Sequence, residues 1–361
     1  MDHWEQLAGL PLVVESLAYG RLDPGPGFGQ AHSSRLVRLT GAGHDGVGED
    51  ITLFMGGAPP QPELIGRWTL GELCTHLDRV DQWPDGPPEW DMPPSVSPDG
   101  AKAFSIMAYR WRNWAFESAA LDLALAQAGR PLHEVIGREP RPVTYVNSLG
   151  LGDPASADTV LRRLERYPRL RFKLDAAVTW TPEIVDALVA TGAVHTIDFK
   201  GHYGMEFDRD SLPGLYERLL DAFPDALVED PHDLPEIAAL VAPHAERVSY
   251  DAPIHTVADL DAVPIRARTF NVKPSRVGRL RDLFALYDAC ESRGFGMYGG
   301  GMGELGVARG QIQLLAAMFS PDGPNDIAPS GFNALDPAPG LPESPLDPDP
   351  AAAGFRRRSD A

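Results

Sequence analysis

Cysteine is almost missing from this chain of 361 residues. The two that occur, Cys74 and Cys290, stand far apart and in neither a CxxC nor a zinc-type spacing, which argues against a disulfide scaffold and fits a reducing cytoplasm. Long apolar runs are lacking too. No stretch approaches the roughly 18 to 20 residues that a membrane-spanning helix needs, and the longest candidate, around Gln313 to Phe319, is short and reads as amphipathic. No apolar signal segment opens the chain, so a cytoplasmic protein is expected. Positive charge is in deficit, with 32 Lys and Arg against 51 Asp and Glu and a formal net charge of −19. That balance disfavours attraction to nucleic acid or to an anionic membrane, and both are set aside as partners.

Glycine and proline, by contrast, are plentiful at 36 and 35 residues, which implies many loops in a chain of otherwise ordinary globular composition. The length suits one large barrel with a smaller domain, or two ordinary domains. Residues 1–22 contain LPLVVESLAYG, a short apolar run broken by Gly20, and SSRLVRLTG and ITLFMGG read as strands of an antiparallel sheet. Gly25, Gly27 and Gly29 form a GxGxG, but without a strand-to-helix context they read as a surface loop. From Glu63 to Val80 the pattern ELIGRWTLGELCTHLDRV has helical spacing, with Thr69 placed as an N-cap. DQWPDGPPEWDMPPSVSPDG, residues 81–100, is an irregular excursion, because proline lacks the donor that helices and central strands use. It reads as a surface loop, with a lid or a subunit contact as the alternative. From Ala101 the pattern is helical, with Phe116, Ala119, Ala120, Leu123 and Ala124 at spacings of three and four until Gly129-Arg130-Pro131 stops it.

Beyond residue 140 short apolar runs alternate with helical segments. VTYVNSLG reads as the first of seven strands, and the following ones end on charge: FKLD (Lys173, Asp175), TIDFK (Asp198, Lys200), LVEDP (Glu229, Asp230), SYDAP (Asp251), NVKPS (Lys273) and GGGMGE (Glu304). The period is that of a βα unit, and parallel strands so connected can close into a barrel whose carboxyl ends meet on one face. Three carboxylates and two to three lysines would converge there. Oxygen ligands suit a hard divalent cation such as Mg²⁺, and a lysine beside it is a candidate base. Asp198, Glu229 and Asp251 each end a short strand-like run, where a lone carboxylate would sit half-buried without a partner. Asp230, Asp233 and Asp259 read instead as solvated loop charges or caps. Residues from about 334 onward lack periodicity and read as a loosely ordered tail.

These motifs, together with AFESAALDLALAQAGRPLHEVIG (Ala115 to Gly137), resemble the enolase superfamily over roughly residues 101–333, nearest the muconate lactonizing enzyme subgroup of the mandelate racemase/muconate lactonizing enzyme family. The resemblance implies an α/β fold: a modified (β/α)7β TIM barrel with an α+β N-terminal capping domain. The division is a cap over 1–125, a barrel over 126–333 and a tail over 334–361 that returns toward the cap or is disordered. It implies Mg²⁺ as cofactor with Asp198, Glu229 and Asp251 as ligands, Lys273 as general acid/base, and abstraction of the proton α to a carboxylate to give an enediolate. Lys173, Lys200 and Asp175 join Lys273 as catalytic candidates, and Glu304 is a candidate for substrate binding. The expected partner is a small carboxylate substrate, in a homo-oligomer.

Two positions depart from the subgroup's pattern. Its second strand usually ends in KxK, but here the stretch is Lys173-Leu174-Asp175; its third usually ends in DxN, but here it is Asp198-Phe199-Lys200. A missing second base favours a one-base lyase (dehydration or another β-elimination) or a cycloisomerase. A racemase or epimerase of N-acyl amino acids or dipeptides, with Lys200 or Lys173 as second base, is the alternative, and a non-catalytic metal-binding relative is a third reading.

Overall fold

The computed structural model describes residues 2–25, 32–55, 62–80, 98–203 and 208–360. Gly27, Gly29 and most of the proline-rich excursion (residues 81–97) lie outside the described residues.

The N-terminal part is built on one antiparallel meander. After α1 (His3–Ala8), β1 (Pro11–Val14) pairs with β5 (Gly66–Thr69), while β2 (Ser16–Leu22), β3 (Ser34–Gly41) and β4 (His44–Asp50) form a three-stranded sheet. Alternation in β3 turns Val37 and Leu39 into the core and leaves Arg38 outside. ITLFM, expected as a strand, is a 3-10 turn at Ile51–Met55. The reason lies at its start: Asp50 Oδ1 accepts from Thr52 N at 2.8 Å and Thr52 Oγ1 at 2.6 Å, which bends the chain out of the sheet. Thr69 caps α2 (Leu70–Leu77) in a capping box with Glu72, and the expected helix does not reach back toward Glu63, because Gly66–Thr69 is taken up as β5 against β1.

The long helix α3 (Pro98–Ala128) lies close against β4 where β4 carries Gly46 and Gly48. A Cβ on Gly48 would come within 1.9 Å of Ala115 O, and one on Gly46 within 2.2 Å of Ala119 O. The expected core residues Phe116, Ala119, Ala120, Leu123 and Ala124 are all buried.

After α4 (Leu132–Ile136) comes a seven-stranded parallel sheet in sequence order: β6 (Asn147–Leu149), β7 (Phe172–Asp175), β8 (Val194–Asp198), β9 (Leu227–Glu229), β10 (Val248–Tyr250), β11 (Thr269–Val272) and β12 (Gly296–Gly299). The intervening helices are α5 (Asp158–Arg166), α6 (Pro182–Thr191), α7 (Leu212–Ala222), α8 (Pro235–Val241), α9 (Asp259–Ala262), α10 (Pro274–Val277) and α11 (Leu280–Ser292), with α12 (Val307–Phe319) following β12. This is an α/β, TIM-barrel-like fold with a separate N-terminal cap.

Two residues join the edge strands. Asn325 O accepts from Val146 N at 2.9 Å, and Asp326 N donates to Gly299 O at 2.8 Å, so Asn325-Asp326 bridges the chain before β6 to the end of β12. This dipeptide stands where an eighth strand would lie. The Asn325 amide holds it there, accepting from Gly299 N and donating to Thr144, Ser320 and Gly323 carbonyls.

Two expectations are corrected. α12 is not amphipathic: every residue from Val307 to Phe319 is buried. Residues 334–360 are not a loose tail either. Leu346 pairs with Val143, Tyr145 Oη donates to Pro342 O at 2.6 Å, and Phe355 is buried edge-on to Trp114. Asp122 of α3 fastens this segment, accepting from Phe355 N at 2.7 Å, Arg356 Nε at 2.9 Å and Val47 N at 2.9 Å. Among the described residues no helix is long and apolar enough to cross a membrane.

Candidate active site

Parallel register sets the site. Asp175, Asp198 and Glu229 are successive cross-strand partners at the carboxyl ends of β7, β8 and β9, and Asp251 follows β10 directly. Asp198, Glu229 and Asp251 are fully buried, and each offers a carboxylate oxygen within 4.8 Å of the others. Three hard oxygen donors from adjacent strands, without nitrogen or sulfur among them, suit a small divalent cation. The residues present therefore fit the Mg²⁺ that the sequence implies.

Four cationic side chains face the carboxylates. Lys173, buried, pairs with Glu229 and lies 3.2 Å from Asp198 Oδ2. Lys200 Nζ is 2.5 Å from Asp198 Oδ2 and 3.1 Å from Asp175 Oδ1. Lys273 Nζ is 2.9 Å from Asp251 Oδ2, and Arg276, on the turn of α10, pairs with Asp251 Oδ1. Gly300 makes room for Lys273, since a Cβ there would fall 2.4 Å from Lys273 Cε.

The electrostatics follow from burial set against these pairs. Burial opposes ionisation of Asp198, but Lys173 and Lys200 outweigh it and hold the carboxyl at about 2. Burial also works against the Asp251 carboxylate, yet Arg276, Lys273 and Lys173 take it well below the usual range. Burial would strip the Lys173 proton, but Glu229, Asp198, Asp251 and Asp326 raise the ammonium well above its ordinary value. At Glu229 burial prevails over Lys173 and pushes the carboxyl up, and Tyr298 Oη donates to its Oε2 at 2.5 Å.

The other expected residues are placed as follows. Glu304 is fully buried, with its oxygens accepting from Ser275 Oγ at 2.5 Å and Met302 N at 2.7 Å, so it ties the loop after β12 to α10. Asp230 is buried and receives Asp251 N at 2.8 Å and Ala252 N at 2.9 Å, which fixes the strand end that carries Asp251. Asp233 is exposed, and Asp259 caps its own turn through His255 N and Thr256 N.

Sequence reasoning gave no role to Asp326, Arg276, Tyr203 or Tyr298. Asp326 Oδ2 stands 3.6 Å from Lys173 and 3.7 Å from Lys273, and Tyr203 Oη donates to Asp251 Oδ2 at 3.0 Å. One signal was available. The whole chain holds four lysines, and three of them meet here.

Residues 139–334 match the family described as "Domain of unknown function (DUF8230) C-terminal domain", and residues 5–135 the corresponding N-terminal domain. An N-succinylamino acid racemase from Thermus thermophilus is 30% identical over 304 residues, covering 81% of this chain and 77% of the relative. The chain belongs to the enolase superfamily. Within the superfamily it falls in the muconate lactonizing enzyme-like subgroup, as expected from its strand ends. An o-succinylbenzoate synthase from Bacillus subtilis is 27% identical over 250 residues, 66% of this chain and 64% of that one. The solved dipeptide epimerase from Methylococcus capsulatus, complexed with Mg ion, shares the superfamily fold with a TM-score of 0.55 at 18% identity, over 91% of this chain and 89% of that chain.

Proposed function

We propose that this protein is a Mg²⁺-dependent lyase that removes the proton α to the carboxylate of a small organic acid and expels a β-hydroxyl, with Lys273 as its acid/base. Asp198, Glu229 and Asp251 hold the cation, which offsets the negative charge that builds on the substrate carboxylate as the α-proton leaves. Lys273, as the neutral amine, takes that proton. The electron pair of the broken C–H bond becomes the new C=C bond, and the same nitrogen returns the proton to the departing hydroxyl, so water leaves. Lys173 anchors the substrate carboxylate, and Glu304 acts through the loop it ties down. The two buried free cysteines support a cytoplasmic setting.

The observation that carries this reading is the end of β7. Where the subgroup's two-base members have a second lysine, this chain has Asp175 in ion-pair reach of Lys200. The test is turnover in D₂O with Mg²⁺ over a panel of β-hydroxy acids, N-succinyl amino acids and dipeptides. Alkene formation with α-proton loss from one face is expected; exchange from both faces overturns it.

The 30% identity to an N-succinylamino acid racemase favours a second reading, 1,1-proton transfer with Lys200 serving the face opposite Lys273. Lys200→Met would then abolish exchange from one face only.

A further inference from the structure

The exchange at positions 175 and 200 has an electrostatic meaning of its own. Lys200 has a left-handed backbone, φ 56°, which a lysine adopts at some cost and which asparagine or glycine tolerates better. That conformation brings two of its groups to one carboxylate: Lys200 N donates to Asp198 Oδ1 at 3.0 Å while Nζ lies 2.5 Å from Oδ2. Both oxygens of a candidate metal ligand are thus engaged by a single residue. The same Nζ is 3.1 Å from Asp175 Oδ1, and Asp175 is partly exposed while Asp198 is not. One ammonium therefore lies between two carboxylates, only one of which belongs to the metal triad.

We propose that Lys200 is a tethered counter-ion with two seats, resting on Asp198 when no divalent ion is bound and moving onto Asp175 when one arrives, so that the pair sets how tightly the site takes its metal. This rests on the reading of Asp198, Glu229 and Asp251 as metal ligands. A cation at the triad and an ammonium on Asp198 repel each other at close range in a buried setting, where the interaction is weakly screened. Asp175 relieves the conflict by holding the displaced charge. The movement is a side-chain swing and needs no backbone change. Seen this way, the aspartate at 175 and the lysine at 200 are one device.

The test is calorimetric titration of the full chain with Mg²⁺, after chelation, for the parent, Lys200→Asn, Asp175→Asn, the double variant and Glu229→Gln. Asparagine suits the left-handed backbone, and Lys200→Met serves as a second variant that offers no oxygen to the ion. Both Lys200 variants should bind Mg²⁺ at least about tenfold more tightly than the parent. Asp175→Asn should bind it about tenfold more weakly, and in the Lys200→Asn background that loss should shrink to less than about threefold, the signature of coupled residues. Binding in the Lys200 variants but not in the parent is the same result in stronger form. Unchanged or weaker binding in both Lys200 variants, with Glu229→Gln abolishing it, overturns the two-seat device and leaves the metal site standing. An equal loss from Asp175→Asn with and without Lys200 also overturns it. If neither parent nor Lys200 variants bind, or Glu229→Gln binds like the parent, the triad reading falls and the device with it.

Discussion

Glu117, midway along α3, accepts a hydrogen bond from Leu280 N at 2.6 Å and so caps the first turn of α11 from another helix. The carboxyl is buried completely, and burial pushes it up to about 8 from an ordinary 4.5. The native state thus holds a proton between about pH 4.5 and 8 that the unfolded chain has released. The contribution of Glu117 to stability is greatest below that window, falls as pH rises through it and levels off above.

Glu117→Gln keeps an acceptor for Leu280 N and removes the ionisation. Denaturant unfolding at pH 5.5 and 8.5 should show the parent losing on the order of 3 kcal/mol more than the variant between the two values. Parallel losses would show that Glu117 does not titrate in this window.

Metal binding is expected to depend on each triad member. Asp198→Asn, Glu229→Gln and Asp251→Asn should each weaken Mg²⁺ by tenfold or more in calorimetric titration, and chelation should lower the melting temperature of the parent alone. Parent-like affinity in any of the three variants would overturn the triad.

Lys273→Ala should reduce turnover by at least about a hundredfold, the lower range for a positioned acid/base, while leaving Mg²⁺ affinity within a few fold. A variant that keeps most of its α-proton exchange would pass that role to another group.

Asp122→Ala should cost roughly 3 kcal/mol or more, because it leaves the buried N–H groups of Val47 and Phe355 without their acceptor and takes from Arg356 one of its two carboxylate partners, Asp45 being the other. The C-terminal segment should then become a site of rapid proteolysis. Loss of stability without that new cleavage would mean that Asp122 does not fasten the segment.

Most of the barrel was legible because βα units repeat a local pattern: an apolar run, a charged end, a helix. Asp198, Glu229 and Asp251 could be placed on one face because parallel register brings equivalent strand ends together. Asp326 could not, since the bridge that carries it is two residues long and has no apolar run to announce it. The all-buried α12 was misread as amphipathic because its neighbours, the cap and the C-terminal segment, are remote in sequence. That segment read as loose because proline and small residues give no period, yet Leu346 and Phe355 anchor it through contacts only the folded chain provides. ITLFM misled because apolar composition suggests a strand, while Asp50 bends the chain by a side-chain hydrogen bond that periodicity does not register.

Three of the chain's four lysines lie at the barrel mouth, with Lys173 and Lys273 almost wholly buried and Lys200 mostly so. Arginine carries nearly all the remaining positive charge. A protease that cuts only after lysine consequently meets three of its four targets inside the site, and cleavage there can proceed only as fast as the mouth opens. Digestion by such an enzyme becomes a clock for that opening, one that a bound cation or substrate should slow, and it reads the site with no knowledge of the reaction.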